Sequence, residues 1–149
     1  MIIVESVEID APSDRVFDAY VNQVDRWWTR RGTYRYSFAP EQTEPRHIWF
    51  EAKLGGRFYE EFADGTEYTI GHIVAWEPPR LLRYTWQAPD WPVETTITVQ
   101  FIETGGRTTV EVTHEGFGAA GVPDLGDGYA VGLREILGGL KAWVQDRVV

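Results

Sequence analysis

The chain has no cysteine among its 149 residues, which excludes disulfides, a thiol nucleophile and a Cys-ligated zinc site. Basic charge is scarce: 14 Lys and Arg stand against 23 Asp and Glu, a net charge of -9. Phosphate backbones and anionic membranes attract clustered cations, so no nucleic-acid partner is expected. No apolar run approaches the roughly 20 residues of a transmembrane helix, which argues against membrane insertion. The apolar Ile2-Ile3-Val4 is followed at once by Glu5, so no signal peptide is read and a cytoplasmic location is the default expectation. His47, His72 and His114 lack metal-ligand spacing, and neither a metal nor another cofactor is expected. A nucleophile elbow, a legible Ser-His-Asp order, a repeat, a low-complexity tract and an interdomain linker are missing as well. Gly55-Gly56 leads into a strand with no Lys-Ser or Lys-Thr nearby, so it marks a bulge or sheet bend rather than a phosphate loop.

What is present points to one domain over residues 1–149, long enough for a real core. Aromatic residues make up 14% of the chain, enough large rings to line a cavity as well as fill a core. Ile3, Val7 and Ile9 share one face of a first strand over residues 3–9. A helix follows over 12–22, with Pro12 at its start, Asp14 near its positive end and a stripe of Val16, Phe17, Tyr20, Val21 and Val24. A short second helix carries Trp27 and Trp28, one expected inward and the other nearer the surface, and residues 30–46 read as irregular. Six strand segments then alternate with turns: 48–54, 57–63, 67–76, 81–87, 94–103 and 107–115. Asp64-Gly65, Pro78-Pro79, Pro89 to Pro92 and Gly105-Gly106 break them apart, which predicts an antiparallel meander. The last element is a long helix from Asp127, its expected N-cap, to Val148. Leu133, Ile136, Leu137, Leu140, Val144 and Val148 form its apolar stripe, and Lys141 and Arg147 suit its negative end. Gly132, Gly138 and Gly139 each weaken that helix by about 1 kcal/mol relative to alanine. Close approach to a neighbour, or space left open against the sheet, must offset that cost.

The order β-α-α, six-stranded meander, long C-terminal helix resembles the α+β helix-grip fold of the START/Bet v 1-like (SRPBCC) superfamily, in which a curved antiparallel sheet wraps the last helix around a cavity. Within it, the chain looks most like the small bacterial proteins named after the activator of Hsp90 ATPase. Ile9-Asp10-Ala11-Pro12 with Val16-Phe17, Gly55 to Glu60, Asp64-Gly65, Gly71 to Leu81, Tyr84-Thr85-Trp86 and Thr113 to Phe117 carry the likeness. It implies a ligand-sized cavity rather than one reaction, since members of the superfamily carry lipids, bind hormones or metabolites, or cyclise and dehydrate polyketides. The eukaryotic activator has a separate N-terminal region, whereas this chain starts at its first strand; an Hsp90-type chaperone is accordingly the least favoured partner.

The residues themselves supply the candidate site. His114 continues the inward parity of Val110 and Val112, where it could bind a ligand's polar group, act as acid or base, or simply be satisfied by a neighbour. Glu60 shares a row with Phe58 and Phe62, where burial would make it a candidate site group, or it pairs with an arginine. Tyr84 and Trp86 either line a cavity or fill core. The expected ligand contacts are Trp28, Phe58, Glu60, Tyr84, Trp86, Ile97, Val112, His114, Leu133 and Leu137, with no catalytic residue assigned. The favoured function is binding of a small hydrophobic or aromatic molecule between the last helix and the sheet. The alternative is a polyketide cyclase or dehydratase-like enzyme using Glu60, Tyr84 and His114 in the same cavity. A homodimer is compatible with either.

Overall fold

The computed structural model describes residues 2–28, 37–122 and 126–146. Alternating burial builds seven strands: β1 (Ile2–Ile9), β2 (Pro45–Phe50), β3 (Arg57–Phe62), β4 (Glu67–Glu77), β5 (Leu81–Trp86), β6 (Thr95–Thr104) and β7 (Arg107–Glu115). They make one sheet in the order β1-β7-β6-β5-β4-β3-β2, antiparallel at every pairing. The expected meander is thus β2 to β7, and β1 adds to its last strand. With α1 (Ser13–Asn22), α2 (Val24–Trp27) and α3 (Gly126–Gln145), the molecule has the helix-grip fold. β2 begins at Pro45, inside the stretch read as irregular, and ends at Phe50. Leu54 instead lies in a turn closed by the Gly56 amide donating to the Lys53 carbonyl at 2.9 Å.

Bends come from register shifts at Pro45/His47, Phe58/Tyr59 and Ile73/Ala75, each of which tilts a strand out of plane. Two glycines allow the tight approaches this requires. A Cβ on Gly56 would lie 2.0 Å from the Glu51 carbonyl oxygen, and one on Gly71 would lie 1.8 Å from that of Thr85. No larger residue fits either place without moving backbone.

The buried side of the sheet carries a transverse row that the register sets out strand by strand. Ile73, Tyr84, Ile97, His114 and Ile3 stand opposite one another across β4, β5, β6, β7 and β1, and all five are buried. The helices pack on this side, but α3 makes its close approaches to β1, α1 and α2 rather than to the middle strands. Gly139 marks the tightest: its Cβ position is 2.7 Å from the Trp27 carbonyl oxygen. Gly138, by contrast, has open space around it on the exposed side, so it contributes no room to the interior.

Other local expectations need correction. Trp27 and Trp28 are both buried: the chain leaves α2 in an extended conformation at Trp28, and the two rings lie tilted together at 5.9 Å while facing different neighbours. Trp27 donates from Nε1 to the Ala19 carbonyl at 2.7 Å, while Trp28 packs edge-on against Phe58. α3 starts at Gly126, so Asp127 lies within its first turn rather than ahead of it. Arg147 and Val148 fall outside the described residues, as does the Asp127 side chain. Lys141 stands ahead of the last turn; the cation at that negative end comes from α1, whose Arg15 donates to the Val144 carbonyl at 2.8 Å.

Candidate functional site

Between the N-terminal half of α3 and the sheet lies a cavity of about 310 Å³. Gly128, Tyr129, Gly132, Leu133 and Ile136 form its helical wall, a stripe produced by four-residue steps. Tyr84, Trp86, Ile97, Val112 and His114 form the sheet wall. Tyr20 from α1, Trp28 beyond α2 and the Ser37-Phe38 pair close the third side. Gly132 is where the helix leaves volume: it is buried, and it lines the cavity without a side chain to fill it.

Trp86 is the hub of this lining. It stacks on Trp28 at 6.2 Å, meets Phe38 edge-on at 5.5 Å and Tyr129 at 6.0 Å, and donates from Nε1 to the Tyr129 hydroxyl at 3.3 Å. Such edge-to-face contacts hold rings in fixed orientations, which keeps a cavity open that flexible side chains would collapse into.

Three of the expected contacts stand outside the lining. Phe58 is fully buried one layer behind, stacked on Phe50 at 4.2 Å and edge-on to Tyr84 at 5.2 Å. Leu137 turns into the filled core. Glu60 is buried, but its carboxylate accepts hydrogen bonds from the Ser37 hydroxyl and, at 2.7 Å, from the Phe38 amide. It therefore holds two lining residues in place from behind. Charge-assisted bonds of this kind suit a fixing role.

The polar groups that do face the cavity are held uncharged. Tyr20 and Tyr84 share a hydrogen bond of 2.8 Å between their hydroxyls, and burial raises both pKa values above the ordinary phenol range. Burial likewise raises that of Tyr129, with the Trp86 hydrogen bond opposing in part. His114, 4% exposed, has its pKa lowered by burial to about 3. Among the described residues no Lys, Arg, Asp or Glu lines the cavity. His47 is elsewhere, paired with Asp25 at 2.8 Å, and His72 is exposed, so the three histidines are not brought together. Among the described residues no cluster of three His, Asp or Glu with metal-binding geometry occurs.

Sequence reasoning missed Tyr20, Ser37, Phe38, Tyr129 and Ile136. Tyr129 sits four residues before Leu133 on the same helical face, so its signal was present. Tyr20 belongs to a stripe that packs like core everywhere else. Ser37 and Phe38 come from a stretch without periodicity, and nothing local announces them.

The chain matches the family described as Activator of Hsp90 ATPase homolog 1-like protein over residues 10–145. No curated protein sequence matches it. Among solved structures, it is similar to MLL2253 from Mesorhizobium loti, with a TM-score of 0.73, 18% identity and 100% of each chain covered. CalU16 from Micromonospora echinospora aligns at a TM-score of 0.68 and 21% identity, over 99% of this chain and 76% of that one. DynU16, a protein of the dynemicin biosynthetic locus, aligns at 0.70 and 17% identity, over 97% of this chain and 47% of that one. At such identities the likeness concerns the fold. Among the described residues no helix is long and apolar enough to cross a membrane.

Proposed function

The chain belongs to the Activator of Hsp90 ATPase homolog 1-like family, and from that premise we propose that it binds a small hydrophobic or aromatic molecule in the cavity between α3 and the sheet. The observation that carries this reading is the lining: a space of about 310 Å³ walled by aromatic and aliphatic side chains, with a few neutral polar groups. That combination of apolar walls and sparse orienting groups is what small-molecule sites require.

An enzyme of the cyclase or dehydratase kind is the second reading, and the likeness to a protein of the dynemicin biosynthetic locus favours it. Its chemistry would need proton transfer. Glu60 stands behind the lining with its oxygens engaged, and burial disfavours the imidazolium form of His114, which weakens it as an acid and as a proton-accepting base alike. Binding without turnover is therefore the better supported of the two.

Calorimetric titration with β-naphthol, an uncharged bicyclic aromatic, tests the binding reading. The parent should bind with one-to-one stoichiometry, and Val112→Phe, which fills the cavity from the sheet side, should weaken binding at least about tenfold while the fold persists. No binding by the parent, or equal binding by the variant, would remove the cavity as the site.

A further inference from the structure

The orientation of one buried hydroxyl fixes which atom of His114 a ligand meets. Thr95 is 1% exposed, and its Oγ1 lies 2.7 Å from the Trp86 carbonyl oxygen and 2.7 Å from His114 Nε2. A hydroxyl has one proton. The Trp86 carbonyl can only accept, so the Thr95 proton is committed there; donation to His114 would leave two oxygen lone pairs facing each other. Nε2 must then carry the imidazole proton and donate it to Thr95. In a neutral ring that leaves Nδ1 as a bare acceptor. Among the described residues Nδ1 has no hydrogen-bond partner, although the side chain is buried and lines the cavity. The rings of Phe117 at 4.4 Å and Tyr129 at 5.5 Å flank it.

Buried acceptors are rarely left unsatisfied in native proteins. We infer that the cavity selects an uncharged aromatic ligand bearing a hydroxyl or N–H group, which donates a hydrogen bond to His114 Nδ1. This deepens the binding reading above and rests on it. The Thr95 hydroxyl is the positioning group: it sets the tautomer that makes His114 an acceptor rather than a donor. A second polar point lies across the floor. Tyr84 stands two strands from His114 in the same transverse row, with Ile97 between them, which separates their Cα atoms by about 10 Å. Only one proton of the Tyr20–Tyr84 pair is used in their mutual bond, so the other can be offered to a ligand's oxygen. A flat molecule with a donor at one edge and an acceptor at the other matches both ends. A ligand without the donor leaves Nδ1 as an unsatisfied buried acceptor in the closed site.

The test compares β-naphthol with its methyl ether, which has the same ring system and no donor, by calorimetry at neutral pH. The parent should prefer the naphthol by at least about tenfold, and His114→Phe should bring the preference within about twofold while still binding both compounds. A parent that binds the two equally, or a variant that keeps the preference, overturns the inference and leaves the binding reading standing. Failure of the parent to bind either compound overturns both. Nitrogen NMR of the parent reads the tautomer without a variant. The Nδ1 resonance should be that of an unprotonated nitrogen and should move with naphthol but not with the ether, whereas a protonated Nδ1 contradicts the inference even if His114→Phe does not fold.

Discussion

Leu133 and Leu140 stand about two turns apart on one face of α3, yet Leu140 is fully buried in the core while Leu133 borders a cavity and remains partly exposed. Glycine repeats the contrast. A Cβ on Gly139 would stand 2.7 Å from the Trp27 carbonyl oxygen, so the helix approaches there only because no side chain intervenes. Gly132, two turns earlier, is buried and borders the cavity with no side chain of its own. One helix therefore packs tightly on α1 and α2 at its C-terminal end and borders a cavity against β5 to β7 in its N-terminal half, while Arg134 donates to Glu5 of β1 at 2.6 Å. The same residue type serves opposite purposes because the partner surface differs: backbone in one place, a framework of edge-packed rings in the other.

The largest effect should come from the closed half. Leu140→Ala removes a fully buried side chain from a filled region and should cost about 2–5 kcal/mol. Leu133→Ala removes contacts already incomplete on one side and should cost roughly half as much or less. Chemical denaturation of the two variants checks this directly. Equal losses would erase the distinction between the halves.

A smaller effect sharpens the comparison through pH. Only the open half buries a histidine among the described residues, and burial lowers the pKa of His114 to about 3 in the folded protein. In the unfolded chain an unperturbed histidine titrates near 6.5. Below that value the unfolded state binds the proton first, so stability is intact above about pH 6.5 and falls as the pH drops toward 3, by up to about 1.4 kcal/mol per pH unit. Carboxylates contribute to the acid response of any variant. The difference between parent and His114→Phe isolates the histidine, and from pH 7 to pH 4 the parent's denaturation midpoint should fall further than the variant's, because His114 adds to the carboxylate response both share. Parallel curves would mean that His114 is not held neutral by burial.

Much of this arrangement was legible in the sequence, and the limits of legibility follow from distance along the chain. Period-two alternation placed Tyr84, Ile97 and His114 inward, because parity is a local property of a strand. Their alignment in one row depends on register across β5, β6 and β7, which short turns between consecutive strands largely fix. Glu60 shows where this fails. Its parity correctly put it on the buried side, but its partners, Ser37 and Phe38, come from a non-periodic stretch more than 20 residues away, so its role as a support for the lining could not be read. The helix glycines failed in a different way. Three of them signalled that something unusual faces α3, yet only packing against α2 and the open exposed side distinguish Gly139 and Gly138 from Gly132. Propensity records the cost of a glycine and says nothing of its beneficiary.

The central claim, that α3 leaves ligand-sized space at Gly132, is tested most directly by filling it. Gly132→Leu adds a side chain where the cavity stands and replaces a poor helix former with a good one. Denaturation should show stability unchanged or raised by up to about 1 kcal/mol, while calorimetry should show β-naphthol binding lost. A loss of about 1–3 kcal/mol with β-naphthol binding undiminished is the behaviour of an overpacked core, and it would contradict the account.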